Sequence, residues 1–353
     1  AMGGTGAANG KATTTVPDKA ALCDGGTRTT AGSAVRFRLG DPIITVTHDG
    51  INYTGYGDFA DGWNAAVGND NNENTAVKIF ADWTATYESS HSTSLGSGVG
   101  FYDGTNQAGS ICVPEGKYIT LDLNGFTIDR NLNEPCSDYG GWVIANLGTL
   151  TIRDSGTGGT ITGGYTGKIV TGSKSGGGIY NAGTLTLSGG TITKNADGKR
   201  GGGVYNAGTF TMTGGEICAN LAATGEGGYT CGGGVYNAEN ANFTMTGGEI
   251  SGNYSCDTTK KDGGGVYNAG TFYVGGTAKI TGNFSKATYD YNYKTVSGGE
   301  TDNVYLPSNA VIACLAGTSA LTSGASIGVT TADTPVTGTP VAVTGSNSAD
   351  YSG

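Results

Sequence analysis

The sequence predicts an all-β chain wound into a parallel β-helix, a solenoid of short strands behind an N-terminal cap. Three observations carry this reading. Glycine supplies 67 of the 353 residues, where average usage is about 7%. A block reading Gly-Gly-Gly-[Ile/Val]-Tyr-Asn-Ala-Gly-Thr recurs along the chain. Between the glycine steps, apolar and polar residues alternate with period 2, the pattern of a half-buried strand.

The repeat is explicit. Gly176-Gly177-Gly178-Ile179-Tyr180-Asn181 returns at Gly201, Gly232 and Gly263, with Val204, Val235 and Val266 in place of the isoleucine. Tyr180, Tyr205, Tyr236 and Tyr267 stand 25, 31 and 31 residues apart. A degenerate earlier copy runs from Gly140 through Trp142 and Asn146 to Thr149. Each copy continues through a strand such as Thr184-Leu185-Thr186-Leu187, a Gly step, and Ile-x-x-Asn, as in Ile192 to Asn195. Three strands per repeat are expected, with glycine at the corners. Stacked about 4.8 Å apart, the copies should form inward ladders. One holds Leu150, Leu185, Phe210, Phe243 and Phe272, flanked by Ile152, Leu187, Met212, Met245 and Val274. Two others hold Ile144, Ile179, Val204, Val235 and Val266, and Ile161, Ile192, Ile217, Ile250 and Ile280. Asn146, Asn181, Asn206, Asn237 and Asn268 should stack at one corner, where amides satisfy each other and the backbone.

Other architectures fail on physical grounds. No strict Gly-X-Y period runs along the chain, which excludes collagen, and 19 Tyr with 9 Phe are too many for a flexible spacer. Glycine at this density would destabilise any helical repeat. A propeller blade needs four antiparallel strands and hairpin turns, and the copies lack Asn-Gly hairpin dipeptides. No apolar run approaches the length of a membrane span, so no membrane insertion is expected. Nineteen Lys and Arg against 29 Asp and Glu leave a net charge of −10, which repels phosphate backbones, so nucleic acid is not an expected partner.

The GG-x-[IV]-Y-N … I-x-x-N pattern resembles the right-handed, single-stranded parallel β-helix repeats of bacterial surface proteins in the pectin-lyase-like superfamily. The glycine-rich, tyrosine-bearing copies look like those of surface proteins from Gram-positive gut bacteria. The resemblance covers roughly residues 110–340. It implies an extracellular or cell-wall-associated adhesin, with a host glycoprotein or glycan (mucin or secreted immunoglobulin among the candidates) as partner. Fold does not dictate activity, so the site has to be read separately.

At the ends, residues 1–105 are read as the cap and first irregular coils, 106–343 as the β-helix and 344–353 as a linker in a chain cut from a longer secreted protein. Asp61 is the expected N-cap of a short helix through Trp63 to Val67, and Val77 to Ala81 the expected strand after it. Ile119 to Ile128 reads as one of the first regular coils. Asp302 to Pro307 and Ser326 to Thr330 read as closing coils. The seven cysteines show no zinc-type spacing. A mixture of thiols and one or two disulfides is expected, with Cys112–Cys136 and Cys231–Cys256 as the candidate pairs.

Enzymes that the resemblance brings in act on acidic polysaccharides through clustered acids, His or Lys/Arg. His48 and His91 are the only histidines, and both lie outside the repeats. Glu216 and Glu249 fall at equivalent positions of adjacent coils. They are the candidate catalytic pair for a polysaccharide lyase or glycoside hydrolase, since retaining glycosidases hold two carboxyls about 5 Å apart. The simpler and preferred reading is two solvated acids, with Glu249 paired to Lys279 across the next rung. No cofactor is expected. Ca²⁺ is the one ion weighed, at the acidic, Asn-rich run of residues 69–74, which lacks EF-hand spacing and reads better as a solvated turn.

Binding is the leading function. The irregular insertions, residues 196–200, 221–231, 254–262 and 284–297, fall at one point of the repeat and should project from one edge. Loops on a rigid scaffold are where binding usually sits. Their candidate ligand-binding residues are Lys199, Arg200, Tyr229, Tyr254, Lys260, Lys261, Tyr289, Tyr291 and Tyr293. The repeat tyrosines are expected to pack on one another. A passive stalk is the remaining alternative.

Overall fold

A parallel sheet with a repeated sequence has one natural register, each residue on its counterpart, because a slip of one residue turns the apolar face outward. The computed structural model takes that register throughout. It describes residues 42–48, 50, 52–68, 74–85, 110–135, 141–167, 175–223, 231–256, 262–290 and 295–333. One coil shows the plan: Val204–Asn206, Thr209–Met212, Glu216–Cys218 and Leu221–Ala222. The next coil supplies Val235–Asn237, Asn242–Met245, Glu249–Ser251 and Tyr254–Ser255, each parallel to its predecessor. These four positions define sheets I to IV, of 8, 10, 8 and 6 strands, so the same four faces persist along the solenoid. The molecule is a parallel β-helix.

The fourth strand corrects the three-strand expectation. Residues Ala196–Asp197, Leu221–Ala222, Tyr254–Ser255 and Phe284–Ser285 are strands of sheet IV, so the insertions begin two residues later than the repeat suggests. A second asparagine ladder explains this. The Asn of Ile-x-x-Asn is buried, and Asn195, Asn220, Asn253 and Asn283 each donate Nδ2 to the Oδ1 above, at 3.1, 3.0, 2.8 and 3.1 Å, ending on Asn303. Their main-chain N–H groups donate to the same oxygens. The bend is thereby fixed, and the chain leaves it extended.

The expected ladders are all present. Leu150, Leu185, Phe210, Phe243 and Phe272 are paired in sequence and extended by Ile119 below and Ile312 above. The three Phe rings stack at 4.8 and 4.6 Å, the rung spacing itself. The isoleucine/valine ladders of sheets I and III are fully buried. The first asparagine ladder runs from Asn146 to Asn268, with Nδ2 to Oδ1 distances of 2.7, 2.7, 2.8 and 2.7 Å. Its amides also donate to carbonyls at the start of the sheet II strands. Gly202 shows why the triplet is glycine: a Cβ there would overlap the carbonyls of Leu221 and Gly233.

The cap closes the lower end. Strands β1 (Ile44–Thr47) and β2 (Tyr53–Tyr56) pair antiparallel, helix α1 spans Phe59–Val67, and β3 (Thr75–Ile79) and β4 (Trp83–Thr84) follow. Strand β3 pairs antiparallel with β1 and parallel with Tyr118–Asp122, and β4 lies parallel to Thr127–Asp129. The cap therefore supplies the first rung of sheets II and III. Helix α1 buries Phe59, Trp63, Ala66 and Val67. Phe59 stacks on Trp83 at 4.7 Å, and Trp63 Nε1 donates to the Cys112 carbonyl at 3.0 Å. The N-cap is Asp58, not Asp61. Asp58 is extended and accepts from the Asp61 N–H, so Asp61 lies in the first turn, where its charge favours the helix N-terminus.

At the upper end, Thr288–Asp290 and Thr295–Ser297 form an antiparallel hairpin, and Glu300–Thr301 closes sheet IV antiparallel to Phe284–Ser285. Val304–Leu306, Ile312–Cys314, Ser326–Ile327 and Val329–Thr331 continue sheets I to III.

The cysteine pairing is also corrected. Cys231 and Cys256 are not joined in a disulfide. Cys231 pairs in register with Arg200 on the way into sheet I. Cys256 packs with Leu221, Ala223 and Ala287 beside sheet IV, so the two lie in different ladders. Cys112 is likewise in no disulfide, and Cys136 lies outside the described residues.

Candidate functional site

The insertions of residues 224–230 and 257–261 leave the solenoid after sheet IV and re-enter at sheet I, so the flanking residues Ala223 and Cys231, and Cys256 and Asp262, mark one edge, and the insertion after Phe284–Ser285 returns first to sheet IV at Glu300–Thr301. Of the expected ligand-binding residues, Lys199, Arg200, Tyr254 and Tyr289 lie at or beside this edge. Tyr229, Lys260, Lys261, Tyr291 and Tyr293 lie outside the described residues, as do residues 69–73 of the acidic, Asn-rich run, His91 and the 344–353 linker.

Lys199 and Arg200 sit in the shortest connection, which Asp197 organises. Its buried carboxylate accepts from the main-chain N–H groups of Gly176 and Lys199 at 2.9 and 2.7 Å, and from that of Arg200. Burial pushes its pKa up to about 7 against the opposing pull of those three amides. The equivalent positions in the next two coils are Ala222 and Ser255, and there the connections are longer. Arg200 lies over the Tyr236 ring, 5.1 Å from its centroid, a cation–π contact.

Tyr254 is half-buried in sheet IV and stacks on Phe284 at 5.3 Å. Tyr289 belongs to the hairpin rather than to a projecting loop. With Val296 it packs on the cluster of Leu221, Ala223, Cys256 and Ala287. The hairpin thus forms one wall of a groove of about 340 Å³ on the sheet IV side, whose other lining includes Leu132, Asn133, Tyr165 and Lys194. The sequence does not show this groove, because its walls come from coils far apart in the chain.

The repeat tyrosines pack on one another as expected. Trp142, Tyr180, Tyr205, Tyr236, Tyr267 and Tyr305 form a continuous stack with centroid spacings of 5.5, 5.8, 5.2, 5.2 and 5.6 Å. The rings of Tyr180, Tyr205, Tyr236 and Tyr267 each have a ring on either side, so little of their faces is open. Sugar stacking needs a free face, so the stack braces the edge rather than binding by its faces. Burial pushes the Tyr236 phenol up to about 12, with Arg200 pulling the other way.

On the opposite part of the coil, Glu216, Glu249 and Lys279 stand on consecutive rungs of sheet III. Together with Gly215, Gly248 and Thr277 they line an open groove of about 490 Å³. Cys218, two residues from Glu216, hydrogen-bonds Thr193 at 3.6 Å through sulfur. Burial pushes its thiol up to about 11, and the nearby Glu216 and Glu249 add to the rise. The thiol form is therefore favoured at neutral pH.

Among the described residues, no three His, Cys, Asp or Glu gather as a metal-binding group, and no helix is long and apolar enough to cross a membrane. No protein-family model, curated protein or solved structure matches the chain.

Proposed function

We propose that this β-helix is a binding module of an extracellular bacterial surface protein, of the pectin-lyase-like kind its repeats resemble, and that it takes a host glycoprotein or glycan at the edge between sheets IV and I. The observation that supports the reading is that a rigid, in-register scaffold brings the connections of its central coils, with Lys199 and Arg200, to the edge between sheets IV and I. A half-apolar groove walled by Tyr165, Tyr289 and Lys194 lies on the same side. Aromatic and basic groups at a concave surface suit polar, ring-bearing ligands. The second reading is a polysaccharide-degrading enzyme, favoured by the Glu216/Glu249 pair in an open groove.

One experiment separates them. The purified chain is tested on an array of glycans and glycoproteins and, in parallel, for turnover of uronic-acid polymers. Binding that disappears when residues 224–230, 257–261 and 291–294 are exchanged for Gly-Ser, with the fold intact, supports the module. Turnover abolished by Glu216→Gln or Glu249→Gln replaces it with the enzyme. No binding on the array, with cell attachment unchanged by the loop exchange, leaves a stalk.

A further inference from the structure

The closing corner of the solenoid, where the last glycine triplet meets the coil above, holds an unusual set of buried oxygens. Asp262 and Asp302 are 5% and 1% exposed, and Ser285 is fully buried. The Gly263 N–H donates to Asp302 Oδ2 at 2.9 Å, which seats the Asp302 carboxylate against the peptide that Asp262 begins. Its other oxygen, Oδ1, has no hydrogen-bond partner, and neither has the Ser285 hydroxyl.

Register places Ser285 at the same corner. It is the second residue of its sheet IV strand, the position Asp197 holds three coils below. Asp197 reaches the amide of Gly176, the first glycine of its own coil. The corresponding amide in the Ser285 coil is that of Gly263, which takes Asp302 from the coil above instead. Tyr267 and Tyr305 flank the corner. Burial raises both phenols, and Asp262 raises both further, with Asp302 adding to the effect on Tyr305.

A buried carboxylate oxygen without a donor is costly unless a proton or a cation meets it. Two carboxylates and a hydroxyl form an all-oxygen donor set. Hard divalent cations prefer such a set, and Ca²⁺ tolerates its irregularity better than Mg²⁺. We propose that Asp262, Asp302 and Ser285 form a Ca²⁺ site that locks the last regular coil to the one above it.

The test is a Ca²⁺ titration of the chain in chelator-treated buffer. Melting is followed by circular dichroism, and Tb³⁺ luminescence, excited through tyrosine, serves as a second probe. The wild type is expected to gain several degrees in Tm, saturably, and to sensitise Tb³⁺ through Tyr267 and Tyr305. Asp302→Asn is expected to lose the Ca²⁺-dependent shift and at least tenfold in Tb³⁺ affinity. Its Tm in chelator should match or exceed the wild type, because a buried charge is gone. Ser285→Ala should weaken binding several-fold, and Asp262→Asn carries the same expectation as Asp302→Asn should that variant not fold. A wild-type Tm unmoved by millimolar Ca²⁺ would overturn the site, as would an undiminished shift in Asp302→Asn and Asp262→Asn.

Discussion

At the scale of single residues, the chain relies on buried polar side chains that are satisfied by repetition. An amide in the Asn146–Asn268 ladder costs little to bury because its neighbours above and below are also amides. Asp197 has no such neighbour, with Thr166 below and Ala222 above, and its carboxylate is held by main-chain N–H groups alone. Its folded pKa, about 7, lies above the unfolded value of about 3.9. The native state then keeps a proton that the unfolded chain has already lost, so this group's contribution is complete below pH 4 and is lost as pH rises to 7. The full difference is on the order of 4 kcal/mol. Urea midpoints should therefore fall between pH 4 and pH 7. Asp197→Asn should flatten that slope, at a cost of about 1–3 kcal/mol overall, since its amide would face the Gly176 N–H.

At the scale of elements, strands of two to five residues hold because each ladder is continuous. The Phe210, Phe243 and Phe272 rings are fully buried and nearly parallel. Phe243→Ala opens a cavity in the middle of that stack and should cost about 3–5 kcal/mol. Phe243→Leu restores the residue type that Leu150 and Leu185 already place in the ladder, and should cost about 1.5 kcal/mol or less. Urea unfolding of the two variants measures the difference. Sheet IV shows the limit of local pattern. Ala-Asp, Leu-Ala, Tyr-Ser and Phe-Ser are too short and too varied to show a strand period, so the asparagine bend before them and the coil beneath make them strands. The hairpin carrying Tyr289 is similar: its partners Leu221, Ala223 and Cys256 come from earlier coils.

At the scale of the whole molecule, stability is a sum of coils and of the interfaces between them, bounded by a cap that uses α1 and antiparallel strands to end sheet edges that would otherwise recruit further strands. Deleting one full repeat, residues 201–231, should leave a cooperatively folded chain. It brings Val235 onto Ile179, Phe243 onto Leu185 and Asn237 onto Asn181, pairings equivalent to those now made by Val204, Phe210 and Asn206. Deleting residues 201–215 breaks all the ladders above it and should abolish that folding. Circular dichroism melts and size-exclusion profiles distinguish the two outcomes.

The ladders, the first asparagine stack, the tyrosine stack and the edge bearing the insertions are legible in the residues alone. A parallel in-register solenoid maps sequence spacing directly onto spatial neighbourhood, so finding the repeat finds the core. Contacts that depart from one-coil spacing are settled only by the folded chain. Asp58 rather than Asp61 caps α1 because packing against the first rung sets where the helix begins. Cys231 and Cys256 stay apart because they occupy different ladders despite their proximity in the chain. The hairpin groove, and the corner of Asp262, Ser285 and Asp302, assemble residues that the repeat does not align, and burial and orientation there follow from how the coils close on one another.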